Sequence, residues 1–213
     1  MLEIFLKGGP IMWPLLATSL IALTFVAERL LFTARERVRR DPAAVDAILS
    51  AVERGDIAGA SRHGRDSRDF VARTLIYALD HREQSLSNAL LRAANLELKR
   101  FNRGLAQLDT IITLAPLLGL LGTVTGMIHA FGLLGGAELD APAAITGGIA
   151  EALIATAFGL GIAIVALLPF NFLNARLEEA RHEIEDAATH LELLLVNPAE
   201  AASRPRAQPS IPA

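Results

Sequence analysis

The chain contains no cysteine. Disulfides and thiolate metal sites are therefore excluded, although the absence says little about compartment. A positive surplus is missing too. The net charge of −3 gives no reason to expect a nucleic-acid partner. The histidines, His63, His81, His129, His182 and His190, are scattered. No nucleophile–base pair and no metal-ligand spacing occurs in the apolar stretches, so neither an enzyme nor a metal or cofactor site is expected. Most telling is the missing charge in three long blocks. Residues 8–27 carry none, residues 111–134 none apart from what His129 contributes, and residues 141–175 only Glu151.

Apolar residues make up 52% of the chain and are concentrated in those blocks rather than dispersed at core spacing. Each block approaches or exceeds the roughly 20 residues that cross a hydrocarbon layer. The expected fold is an all-α integral membrane protein with three transmembrane helices. The first block is not read as a signal peptide. Lys7 alone precedes it, while Arg29, Arg35, Arg37, Arg39 and Arg40 follow, the reverse of a secretory leader. No basic residue lies between the second and third blocks, whereas fourteen fall between Arg35 and Arg103, and Arg176 and Arg181 follow the third. The positive-inside rule then places the N-terminus outside, with residues 34–103 and the C-terminus in the cytoplasm.

The expected organisation is as follows. Residues 1–33 hold the N-terminal segment and span one, and 34–104 a cytoplasmic helical region. Span two covers 105–135, a periplasmic loop 136–141 and span three 142–175. A cytoplasmic helix covers 176–197 and a disordered, proline-rich tail 198–213. Asp41 and Pro42 read as N-cap and first residue of a helix with Ala44, Val45, Ile48 and Val52 on one face, closed by Gly55. Residues 58–68 read as a polar loop, 70–79 as a second helix, and 84–87 as the cap region of a third. That third helix is expected to run on without a stop into span two, where Pro116 bends it. Span three similarly continues past Ala175, after a start capped by Asp140.

Span two presents Gly119, Gly122, Thr123, Gly126 and Ala130 in one small-residue stripe at three- and four-residue steps. Span three presents Gly148, Ala152, Ala155, Gly159 and Ala163. Such stripes let helix backbones approach closely in lipid, and both are expected to pack tightly, with further copies of the chain. Among them sit Thr123, Thr125, Thr146 and Thr156. A membrane threonine often only bonds its own preceding turn. A carboxyl such as Glu151 costs about 2.5–3.5 kcal/mol at the centre of a span and marks an ion or proton pathway as a common use; the plainer role is a hydrogen bond between helices from a neutral carboxyl. His129 is placed on the face of Gly122 and Gly126. Asp109 falls near the inner headgroups, where solvation is the simplest reading.

The segments APLLGLLGTVTGMIHAF (115–131) and AITGGIAEALIATAFGLGIAI (144–164) resemble the paired-helix signature of the MotA/TolQ/ExbB proton-channel family. GGPIMWPLLATSLIALTFVAERL (8–30) is similar to that family's first span. Three spans match the ExbB/TolQ branch; MotA-type stators have four. The resemblance implies a homo-pentamer in the bacterial inner membrane around single-span partner helices of the ExbD/TolR type. The protonatable aspartate sits on the partner and the mechanical output goes to a TonB-like or TolA-like protein. It implies that Thr123, Glu151 and Thr156 line the proton pathway and that Pro116, Gly119, Gly122 and Gly126 shape the pore helices. An ExbB-like role in energising outer-membrane transport and a TolQ-like role in the Tol–Pal envelope system both fit, and a passive membrane scaffold is the alternative of another class.

Overall fold

The computed structural model describes residues 2–132 and 141–196. Every regular element among them is an α-helix: α1 (Leu2–Lys7), α2 (Met12–Val38), α3 (Pro42–Glu53), α4 (Ile57–Arg65), α5 (Phe70–Asp80), α6 (Arg82–Asn102), α7 (Leu105–Gly132) and α8 (Ala141–Val196). The expected loop and tail, with Asp140 and Pro198, lie outside the described residues. Three helical stretches are long and apolar enough to cross a membrane: α2, the run 82–132, and α8. The all-α membrane fold with long second and third spans is therefore the fold observed. Two compact units divide the chain. One comprises Met1–Phe32 with Asn102–Ala175, the other Thr33–Phe101 with Arg176–Ala213.

In the first unit, a turn the sequence reading did not separate links α1 to α2. Gly9 adopts φ +72° there, a left-handed conformation that glycine takes without a Cβ penalty. Met12 and Leu15 are buried, while Trp13 is exposed and meets Phe5 edge-on at 5.5 Å. Leu117, Leu121, Val124 and Ile128 of α7 and Leu153, Ile164 and Leu168 of α8 are all exposed. An apolar surface of that extent is what hydrocarbon accepts and water does not. The run into α7 is jogged at Gly104, where φ is +83°. The sequence reading passed over that glycine.

The second unit is a small bundle of α3–α6 with the C-terminal part of α8, packed around Ile48, Leu75, Leu79, Ile184 and Leu191. Asp41 caps α3 by accepting from the Ala44 N–H, with Pro42 in the first turn, and Gly55 closes the helix at φ +75°, as expected. Residues 58–68 are not the expected loop. Asp56 caps α4 through the Gly59 N–H at 2.7 Å. Gly59, Ala60 and Gly64 are buried, so α4 is held by small residues letting it lie close to Ile48 and Ile76. Apolar periodicity is weak in such a helix. The expected cap before the third cytoplasmic helix is present at Ser85, which leaves helical geometry and accepts from Asn88 N–H.

Candidate functional site

The two small-residue stripes face each other inside one chain. A Cβ added at Gly119 would lie 3.0 Å from the Ala155 carbonyl oxygen. One at Gly126 would lie 3.1 Å from both the Ala152 Cβ and the Gly148 carbonyl oxygen. One at Gly159 would meet the Ala115 carbonyl oxygen at 2.5 Å and the Gly119 Cα at 3.0 Å. The α7 and α8 backbones thus touch along Gly119, Gly126, Ala152 and Gly159. The stripes are used up by this contact and are not left open for further copies, which corrects the expectation. In lipid there is no hydrophobic pull between helices, so close van der Waals approach is what makes such a pair adhere.

This pairing sorts the candidate residues onto two edges. Thr156 Oγ1 of α8 donates across to the Gly119 carbonyl at 3.0 Å, whereas Thr110, Thr113, Thr123 and Thr125 of α7 turn back on their own helix. Thr123 Oγ1 donates to the Leu120 carbonyl at 2.6 Å, and Thr125 to Leu121 and Gly122. Five residues separate Glu151 from Thr156, which turns them about 140° apart on the helix. Glu151 shares its flank with Ile154, Phe158 and Ile162. That flank looks to the N-terminal turn and α2: a Cβ on Gly9 would collide with Glu151 Oε1, one on Gly8 would reach Ile154, and Phe158 and Ile162 line an apolar groove with Ala22 and Val26. On α7, Gly122 lies against Ile11 on the same side, and Thr123 is turned about 100° further round. Thr123 and Thr156 therefore fall on the edge of the pair away from α2, and Glu151 on the edge against it. No hydrogen bond joins the three among the described residues.

Pro116 lies inside α7 and has no N–H to give the Ile112 carbonyl, which is left as an acceptor beside the glycine contact. His129, seven residues on from Gly122, lies about 20° from it round the helix and so keeps that face, but it is exposed where Gly122 and Gly126 are buried. Among the described residues, no group of three or more His, Asp or Glu side chains is placed to hold a metal.

The second unit contains a polar junction that the sequence reading did not pick out. Asp69 is fully buried. Its Oδ1 accepts from Val71 N–H at 2.7 Å and from Ala72 N–H, capping α5. Its Oδ2 accepts from Asp41 N–H at 2.7 Å and from Arg40. Arg40 also stacks over Phe70 and lies 2.7 Å from Glu183 Oε2 of α8. That oxygen accepts no aligned hydrogen bond, so the contact is ionic but off-axis. Burial pushes the Glu183 carboxyl above its ordinary value; Arg40 pulls it back only partly, and Glu179 and Asp69 add to the rise. The sequence signal was an aspartate directly before an apolar helix; its partners are distant in sequence.

Comparison with known proteins places these features in a family. Residues 65–186 match the MotA/TolQ/ExbB proton channel family. An ExbB-like biopolymer transport protein of Synechocystis sp. is 40% identical over 202 residues, 91% of this chain and 78% of that protein. The biopolymer transport protein ExbB of Neisseria gonorrhoeae is 36% identical over 162 residues, 76% of this chain and 70% of its own. The Tol-Pal system protein TolQ of Haemophilus influenzae is 40% identical over 97 residues, 44% and 42% of the two chains.

Proposed function

This chain belongs to the MotA/TolQ/ExbB proton channel family, and on that premise we propose that it is an ExbB-like subunit of an inner-membrane proton channel that turns proton motive force into mechanical work. It acts as a homo-oligomer, a pentamer by family resemblance, around a single-span ExbD/TolR-like partner that carries the protonatable carboxyl. Its output is a TonB-like protein energising outer-membrane transport. Thr123 and Thr156 line the proton route. Glu151, on the edge of the pair against α2, seats the Gly9 turn, and its share in proton movement lies there rather than on the hydroxyl edge. Residues 34–104 and 176–197 are cytoplasmic, and the N-terminus is periplasmic.

The observation that carries this reading is the α7–α8 contact through bare backbone, which leaves hydroxyls on one edge of the pair. Hydroxyls can hold water and meet a partner carboxyl without adding fixed charge. Each proton moving inward across 100 mV releases about 2.3 kcal/mol. Protonating the partner carboxyl lowers the cost of carrying it past an apolar wall, so repeated protonation can move the partner relative to the ring. The TolQ-like reading is the same machine with a TolA-like client, and the similarity to the Haemophilus influenzae TolQ supports it over the shorter stretch.

The test is proton flux into liposomes, with the chain reconstituted alone and with its single-span partner. Flux is expected only with the partner. An intact complex that passes no protons under an imposed gradient would leave the passive scaffold as the better account.

A further inference from the structure

Thr123 is not alone on its flank of α7. Asp109, Thr113, Pro116, Leu120 and Thr123 follow at steps of four, three, four and three residues, which places them in one column along the helix. The adjoining face with Leu108, Ala115, Gly119 and Gly122, turned about 110° from the column, is buried, while Asp109, Thr113 and Leu120 are exposed. Polar groups recur along this column. Thr113 Oγ1 donates to the carbonyls of Asp109 and Thr110, and Thr123 Oγ1 to that of Leu120. With their protons committed to the backbone, both hydroxyls present acceptor lone pairs outward. Between them lie the Ile112 carbonyl, without a helical donor because of Pro116, and the Gly119 carbonyl, which accepts from Thr156.

Asp109 ends the column at the α6 side and is the only carboxylate in α7. Its side chain makes no ion pair or hydrogen bond among the described residues, although Arg103 is only six positions away in sequence. The distance to Thr123 is fourteen residues, about 21 Å of helix, roughly two thirds of a hydrocarbon layer.

We infer that Asp109 is the inner terminus of this polar column and the group that takes up each proton leaving the Thr123–Thr156 edge. In that step an O–H bond of the delivering protonated water breaks, leaving neutral water, and one forms on the Asp109 carboxylate. Release to bulk water reverses it, so the carboxylate is regenerated and no other reactant is consumed. The inference rests on the proposed proton route.

The test uses the full chain co-purified with its single-span partner and reconstituted in liposomes, comparing Asp109→Asn, Asp109→Glu and Thr123→Val at equal complex content. Proton flux is expected to fall about tenfold or more in Asp109→Asn, as for loss of a positioned proton acceptor, and to recover substantially in Asp109→Glu. Thr123→Val is expected to lower flux as well. Normal flux in Asp109→Asn with reduced flux in Thr123→Val overturns the role of Asp109 and leaves the route standing. Low flux in both Asp109 variants also overturns it, since position rather than acidity would then matter. Normal flux in Thr123→Val removes the route on which the inference depends.

Discussion

The proposed proton route places one interhelical hydroxyl, that of Thr156, on the edge of the α7–α8 pair. Thr156 Oγ1 reaches the Gly119 carbonyl of the neighbouring helix, where an interhelical bond in lipid averages only about 0.6 kcal/mol. Thr156→Val keeps the shape and loses that bond, so the complex is expected to assemble at wild-type yield while partner-dependent proton flux drops. Undiminished flux would remove Thr156 from the route. Glu151 calls for a different experiment. Its carboxyl lies where any Gly9 side chain would need to be. Gly9→Ala is expected to lower the yield of folded protein, because the strain of φ +72° is added to the collision; Glu151→Gln retains shape and hydrogen-bonding capacity. Normal yield with reduced flux in Glu151→Gln supports a share in proton movement, and normal flux assigns the residue to the turn alone. The identities of these residues were legible in the sequence: a lone carboxyl and hydroxyls among glycines stand out. Their partners were not: spacing alone turns Glu151 about 140° from Thr156, but which of the two edges meets α2 and the Gly9 turn is set by the fold.

Between helices, backbone contact and buried charge set the tolerances. Gly159 faces the Ala115 carbonyl and the Gly119 Cα, neither of which can rotate out of the way. Gly159→Ala is expected to cost about 1–3 kcal/mol as an overpacked contact, read as a lower midpoint of thermal aggregation in detergent; Gly161→Ala, with open space around it, serves as the neutral control. In the second unit, Asp69→Asn puts an amide where Oδ2 meets the Arg40 guanidinium and Asp41 N–H. Breaking such a buried pair costs about 3–5 kcal/mol, and the variant is expected to be proteolysed within α3–α5 before the wild type is cut. Glu183 should behave in the opposite sense. Burial, the largest cause, holds its folded carboxyl above the unfolded value. The folded state therefore binds more protons between those two values, and the group's favourable contribution fades as pH rises through that window toward neutrality. Glu183→Gln is expected to leave stability at neutral pH equal or higher and to flatten its dependence on pH on the acid side. A large loss at neutral pH would show that the off-axis Arg40 contact outweighs the burial. Helix α3 was legible from its cap and apolar spacing, and α5 from its spacing alone. α4 was not, because its packing uses Gly59, Ala60 and Gly64, which carry almost no hydrophobic signal.

For the whole molecule the open quantity is orientation, and the missing cysteine makes it directly measurable. A single introduced thiol has no background in this chain. Leu6, before α2, and Val38, its last residue, are 66% and 86% exposed; the 27 residues of α2 span about 40 Å, more than the hydrocarbon layer. The basic residues from Arg35 onward argue that the Val38 end is cytoplasmic. Leu6→Cys is then expected to react with a membrane-impermeant maleimide in intact spheroplasts, and Val38→Cys only after lysis. The same assignment puts Asp109 toward the cytoplasm, two thirds of a hydrocarbon layer from Thr123, so the labelling result also fixes the direction in which the proposed route runs. The reverse pattern would turn Asp109 into an entry group and would place the polar Arg40–Asp69–Glu183 junction outside, against the bias set by the basic residues between Arg35 and Arg103.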